Sequence, residues 1–281
     1  MSYKWQFFCK TNTLPAPSEM TIYDDFDKYG SLFVCGDIHG EFKTLLYDLK
    51  RKGITDAVIL IAGDCGIGFE KPQHYEQLYR KLEPTLKKIS CTLILVRGNH
   101  DNPEYFHKRL IDYPLMRTIP DYSVVRFGGR NILCVGGGIS IDRKQRLSAM
   151  WLAQLKGRTV KYYWDDEAPV FDVEALSDLK ANGLLVDTVV THTAPSFCMP
   201  VSKTGIEGWL LKDERLEEDI NHERKVMDDL HNWLSAEKHP IANWFYGHFH
   251  SSHTEYISDI RFQMLDIMEL AEFQIHTDDT K

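Results

Sequence analysis

Five short stretches of this 281-residue chain carry side chains able to bind a cation or move a proton, and each follows an apolar run. Gly36-Asp37-Ile38-His39-Gly40 follows Leu32–Val34. Gly63-Asp64-Cys65-Gly66 follows Val58–Ala62. Arg97-Gly98-Asn99-His100-Asp101 follows Leu93–Val96. Thr191-His192-Thr193-Ala194-Pro195 follows Val186–Val190, and Gly247-His248-Phe249-His250 follows Ala242–Tyr246. Singly, each has a plain explanation: Asp37 and His39 as a turn, His192 as a hydrogen-bonded strand-end histidine, His248-x-His250 as a weak metal signal. Their recurrence at five strand-to-turn junctions is what calls for chemistry.

Leaving His100 and Asp101 aside, the set holds Asp37, Asp64, His39, His192, His248, His250 and Asn99. These are oxygen and nitrogen donors without a thiolate, a combination that suits Mn²⁺ first, with Fe or Zn²⁺ as alternatives. Seven donors are too many for one tetrahedral zinc. They suit two divalent ions roughly 3.5–4 Å apart that share a carboxylate. Two divalent cations over two aspartates leave a locally positive pocket, as a phosphate requires, in a chain of formal net charge −8.

Elements that could bring these stretches together are legible in the hydrophobic pattern. Leu32–Val34, Ala57–Ala62 and Thr92–Val96 read as buried strands. The predicted helices Phe42–Lys52, Tyr75–Ile89 and Glu104–Leu110 alternate with them, the signature of βαβ units and a largely parallel sheet. Tyr122–Phe127, Gly128-Gly129-Arg130 and Asn131–Val135 read as a hairpin. Beyond it come a polar helical segment at Asp142–Lys156, a strand at Leu184–Val190 and an amphipathic helix at Glu223–Leu234. Ala242–Tyr246, Thr254–Ile257 and Arg261–Met268 read as closing strands. In an open parallel sheet, ligands bind beyond the carboxyl ends of the strands, so strand ends far apart in sequence meet in one place. The glycines before the polar residues permit sharp turns and close backbone approach.

Residues 1–30 read as an N-terminal extension with a short strand at Tyr3–Phe8, and residues 31–281 as one domain. Apolar residues make up 43% and charged residues 26%, ordinary for a globular protein. No apolar run approaches the ~20 residues of a membrane-spanning helix, and the first ten residues lack the apolar core of a signal peptide. Six scattered cysteines without a Cys-x-x-Cys pair read as buried, reduced thiols. A cytoplasmic location is expected. The acidic balance disfavours a broad nucleic-acid footprint, without excluding one local groove.

The five motifs, in this order and spanning Gly36 to His250, resemble those of the calcineurin-like metallophosphoesterases. The resemblance implies an α/β fold, a four-layer αββα sandwich of two mixed β-sheets flanked by helices, with a dinuclear centre at one edge. It implies Asp37, His39 and His250 on one metal, Asp64 bridging, and Asn99, His192 and His248 on the other. His100 would stand near the leaving group as proton donor or charge stabiliser. A bridging hydroxide would attack a phosphate mono- or diester in line. Gly136–Arg146 and Trp164–Glu167 are similar to a segment of bacterial members, so Arg143 or Arg146 could reach a substrate phosphate; the alternative is that both stay solvated on a polar helix. Ile67 and Gly68 stand where protein Ser/Thr phosphatases of the superfamily carry an Asp-Arg pair, and Asp101 where they carry Glu. This departure points away from a dedicated phosphoprotein phosphatase. A small phosphorylated molecule is the expected partner, with no membrane. The alternatives are a metal-dependent nuclease and a non-catalytic scaffold of the same fold. Ser140–Asp172 and Ser196–Asn221 are candidate caps over the site; Trp209-Leu210-Leu211 within the second reads as an ordinary core contact.

Overall fold

The computed structural model describes residues 20–273. In chain order it runs through β1 (Ile22–Tyr23), β2 (Ser31–Cys35), α1 (Phe42–Arg51), β3 (Ala57–Ala62), α2 (Pro72–Ile89), β4 (Cys91–Val96) and α3 (Pro103–His107). There follow β5 (Asp112–Tyr113), β6 (Met116–Thr118), β7 (Ser123–Phe127), β8 (Arg130–Val135), α4 (Arg143–Leu155) and α5 (Val173–Ala181). The chain closes with β9 (Thr188–Thr191), α6 (Glu207–Leu210), α7 (Leu216–Ala236), β10 (Asn243–Tyr246), β11 (His253–Ile257), β12 (Ile260–Met264) and β13 (Leu270–Glu272).

Two sheets form. One has the order β13-β2-β3-β4-β6-β5, the other β1-β7-β8-β9-β10-β12-β11. Each is parallel at its centre and carries antiparallel pairs, β13·β2 and β5·β6 in the first, β7·β8 and β11·β12 in the second. The burial of β3 shows how the layers arise. All six residues of Ala-Val-Ile-Leu-Ile-Ala are buried. Ala57, Ile59 and Ile61 pack with Leu45 and Leu49 of α1 and Leu82 and Leu86 of α2. Val58, Leu60 and Ala62 point the other way and meet Val125, Ile132, Val190 and Phe245 of the second sheet. A strand covered on both faces needs a continuous apolar run rather than alternation. The outer face of the second sheet is covered by α5 and α7 through Leu176, Leu179, Val226, Met227, Leu230 and Leu234. Helices, two sheets and helices again make the expected four-layer sandwich.

The structure also corrects several boundaries. α7 begins at Leu216 rather than Glu223, because Glu217, Glu218 and Asp219 occupy its first turn, where carboxylates favour a helix N-terminus. α5 was not foreseen; Asp172 caps it, accepting from the N–H groups of Glu174 and Ala175. The last expected strand, Arg261–Met268, stops at Met264. The chain then turns so that Leu270–Glu272 can cross to β2 of the other sheet. Ile22–Tyr23, from the segment read as an extension, pairs with β7, and Phe26 is buried between the sheets. The expected strand at Tyr3–Phe8 lies outside the described residues, as does Cys9. The five described cysteines are buried and free.

Candidate metal centre

The carboxyl ends of β2, β3 and β4 carry Asp37, His39, Asp64, Asn99 and His100; those of β9 and β10 carry His192, His248 and His250. The site therefore straddles the rim shared by the two sheets. His39, Asp64, His248 and His250 all have positive φ, between 45° and 70°. Non-glycine residues seldom adopt this region, and such strain is held at functional sites by surrounding packing. Two glycines are there because their neighbours are. A Cβ on Gly98 would collide with the Asp64 carboxylate, and one on Gly247 with that of Asp37.

The ligand atoms of Asp37, His39, Asp64 and His250 lie within 4.8 Å of one another. His250 Nε2 is 3.1 Å from Asp37 Oδ2 and 3.1 Å from His39 Nε2. The remaining members continue from Asp64. Its Oδ2 faces His39 Nδ1 at 3.8 Å, while its Oδ1 faces His192 Nε2 at 3.3 Å. His192 Nε2 lies 2.9 Å from Asn99 Oδ1 and 3.2 Å from His248 Nδ1. All seven candidate ligands of the sequence thus form one contiguous group with Asp64 at its middle. His192 keeps its ring in place with Nδ1, 2.8 Å from the Ala62 carbonyl.

The donor chemistry fits cations. Asp37 and Asp64 are both buried, and like charges brought together out of water need a positive partner. Burial alone would raise Asp64, but His192 and His100 hold it well below the usual carboxylate range. Burial would lower His192, yet Asp64 and Asp37 carry it up to about 10. His248, beside His192, is driven the opposite way by burial and by that neighbour. This is a field that asks for positive charge, surrounded by imidazoles packed more closely than several protonated rings could be.

His100 donates its backbone N–H to Asp64 Oδ1 at 2.7 Å. Its ring touches the guanidinium of Arg146, which also donates from Nε to Asp142 at 2.7 Å. Burial, and then Arg146 and His39 against the pull of Asp64, keep the His100 imidazole below its ordinary range. Arg143 is placed differently. It donates to Asp213 at 2.5 Å and Asp219 at 2.6 Å, so its guanidinium ties the segment after Ser140 to the segment after Ser196. The two cap candidates are thereby joined.

Three buried side chains behind the site were missed as site residues. Asn99 Nδ2 donates to Ser140 Oγ at 2.9 Å, and Ser140 donates from both N and Oγ to Glu167, at 2.8 and 2.6 Å. Glu167 belongs to the Tyr-Trp-Asp-Asp-Glu stretch already singled out, and its role is to hold Ser140 against Asn99. Glu223 accepts the N–H of Ile139 and the hydroxyl of Thr193, and lies 3.9 Å from His248 Nε2. A carboxylate on an amphipathic helix gives no sequence sign that it points inward.

Burial pushes the Glu167 carboxyl from about 4.5 up to about 8, against the hydrogen bonds from Ser140. The native state then holds a proton that the unfolded chain has released. The stability this group contributes is complete below about pH 4.5 and is lost as pH rises through about 8. The stability of the parent protein relative to Glu167→Gln is therefore expected to fall between about pH 5 and about pH 8, read by urea unfolding at each pH. A flat or rising difference would contradict a protonated native Glu167.

The model of the calcineurin-like phosphoesterase family matches residues 30–252. Among solved structures, the chain is similar to a phosphopantetheinyl hydrolase from Mycobacterium tuberculosis, with 14% identity, 91% of this chain and 99% of that chain covered, and a TM-score of 0.43. It is also similar to a putative 5′-nucleotidase from Staphylococcus aureus, with 12% identity, 85% and 48% coverage, and a TM-score of 0.41. A protein serine/threonine phosphatase from Saccharomyces cerevisiae matches with 13% identity, 88% and 70% coverage, and a TM-score of 0.34. No curated protein sequence matches the chain.

Proposed function

This chain belongs to the calcineurin-like phosphoesterase family, and we propose that its five strand ends hold two divalent cations for the hydrolysis of a small-molecule phosphate ester. The family makes it a metal-binding hydrolase of phosphate esters; the dinuclear reading rests on Asp64. Its two oxygens face different histidines, His39 at Oδ2 and His192 at Oδ1, as suits a carboxylate shared by two ions. Asp37, His39 and His250 would complete one position, and Asn99, His192 and His248 the other. With nitrogen and oxygen donors only, Mn²⁺ is the first choice, with Fe or Zn²⁺ behind it.

When bound, such a pair of ions supplies an acidified water and positive charge against the phosphoryl oxygens. The chain's own residues do the positioning. Ser140 and Glu167 fix the rotamer of the Asn99 amide so that Oδ1 faces His192. His100 is anchored by its backbone to Asp64 and steadied by Arg146, which leaves its imidazole at the mouth of the cluster, suited to stabilising charge on the ester oxygens. Arg146, already beside His100, is the arginine within reach of a phosphate; Arg143 is occupied by two aspartates. Among the described residues no helix is long and apolar enough to cross a membrane.

The test is a panel of aryl phosphate monoesters and diesters with the Mn²⁺-loaded protein at several pH values. Metal-dependent release of the phenol is expected. Inertness toward both classes, with metal shown to be bound, overturns the reading. His100→Ala is expected to lower kcat by ~10²-fold with a smaller effect on KM, as loss of a group acting on the reacting oxygens does. An unchanged kcat would remove His100 from the chemistry.

A further inference from the structure

Beyond His248 and His250 the candidate site continues into a cleft of about 760 Å³. Its lining is largely apolar, with Ile139, Ile141, Val201, Ile206, Trp209 and Phe249 among the residues. The Trp209-Leu210-Leu211 run was expected in the core. Instead, Trp209 is half-buried on the cleft wall and Leu211 is 89% exposed. The short helix α6 thus brings an indole to the cleft instead of closing a core. Two aromatic rings of this wall are backed by cations, Lys212 over Trp209 and Arg224 over Phe249, each 5.0 Å from the ring centre.

Lys203 and Arg224, the Lys and Arg side chains of the cleft, both have hydrogen-bond partners, though the buried Nε of Arg224 has none. Lys203 pairs with Glu217 at 2.7 Å. Arg224 donates to the carbonyls of Pro195 and Cys198, both at 2.6 Å. Asp228 on the same wall adds a carboxylate held by the N–H and hydroxyl of Ser196. A second phosphate or a nucleic-acid backbone would meet apolar surface and negative charge there. An uncharged apolar group would displace water from surface that has no other cover.

We infer that this cleft is the subsite for the alcohol part of the substrate, and that the ester it accepts is a phosphate of an uncharged apolar or aromatic alcohol rather than a nucleoside polyphosphate or a nucleic acid. The inference rests on the phosphoesterase reading for the position of the phosphate, since the same cleft includes Asp64, Asn99, His100, His248 and His250. Its volume falls within the range of small-molecule sites, so the alcohol is that of a small molecule.

The two readings can be separated by measuring turnover and binding. For the Mn²⁺-loaded protein, kcat/KM should be at least ~10-fold higher for 2-(1-naphthyl)ethyl phosphate than for ethyl phosphate, two esters of primary alcohols with similar leaving ability, since the larger group buries more apolar area. Trp209→Ala should reduce that ratio by roughly tenfold, whereas Leu211→Ala, outside the cleft, should leave it unchanged. In parallel, calorimetry compares (1-naphthylmethyl)phosphonate with methylphosphonate, two phosphonates of equal charge whose P–C bonds the protein does not hydrolyse. Tighter binding of the naphthyl compound, lost in Trp209→Ala, supports the subsite even if no ester turns over; that combination would sink the hydrolase reading alone. Equal binding of the two phosphonates, or a preference for adenosine triphosphate over 2-(1-naphthyl)ethyl phosphate, overturns the subsite.

Discussion

Asp64→Asn is expected to lower kcat/KM by ~10⁴-fold or more, equivalent to over ~5 kcal/mol of transition-state stabilisation, and to leave the purified protein short of at least one metal ion per chain. The substitution conserves shape. An asparagine in the same rotamer can still accept the His100 N–H, which Asp64 Oδ1 now takes at 2.7 Å, so the fold has little reason to fail. What disappears is the charge and one of two opposed acceptors. An amide turned with its oxygen toward His192 presents an NH₂ to His39, and turned the other way presents it to His192. Either arrangement spoils one of the two positions proposed around this carboxylate. The protein's own electrostatics already register the charge, since the field of Asp64 is the largest influence lifting His192 against its burial. Metal analysis and steady-state hydrolysis on the same preparation provide the check. A variant that keeps two ions per chain and turns over within tenfold of the parent would refute the role given to Asp64.

The centre was legible in the sequence because close packing left marks there. Gly98 and Gly247 must be glycine, as a side chain would occupy the space of the Asp64 and Asp37 carboxylates. An apolar run ending in glycine and a ligand-type residue therefore signals a backbone pressed against its neighbours' side chains. The unbroken apolar character of Ala57–Ala62 likewise announced a strand covered on both faces. The supporting residues gave no comparable sign. Glu167 reaches Ser140 across 27 residues and Glu223 reaches Ile139 across 84, and nothing in their local pattern separates them from solvated acids. The same holds for Trp209, because an apolar triplet looks alike whether it fills a core or lines a cleft. Strand limits drifted where burial continues past hydrogen bonding. Leu184 and Val186 are buried, yet the pairing of β9 starts only at Thr188; just before it, the Asp187 carboxylate accepts the N–H of Asn131.

Asp101 shows why the type of a residue in a motif does not settle its task. It ends the Gly98-Asn99-His100-Asp101 stretch and has a metal ligand's chemistry, but its oxygens are spent on the backbone. Oδ2 accepts the N–H of Gly98 at 2.8 Å and of Cys65 at 3.0 Å, and Oδ1 accepts that of Ile67 at 2.7 Å. It therefore clamps the turn after β3, which carries Asp64, to the turn after β4, which carries Asn99 and His100. The carboxyl is fully buried, and burial together with Asp64 pushes it up to about 7 despite the three donors. A costly charge is tolerated because removing the acceptor would be worse. Asp101→Ala leaves three buried N–H groups without partners and is expected to lower the unfolding free energy by about 4 kcal/mol, taking roughly 1–3 kcal/mol for each unmet group and allowing for relaxation. Urea unfolding of the metal-free protein measures this without interference from ligand linkage. Activity should fall as well, through kcat more than KM, since the clamp sets the spacing of Asp64 from Asn99 and His100. A loss of stability below about 1 kcal/mol, the net worth of a single ordinary hydrogen bond, would mean that the two turns hold their places without Asp101. The rigidity of the centre would then have to come from the glycine contacts and the left-handed backbone of its histidines.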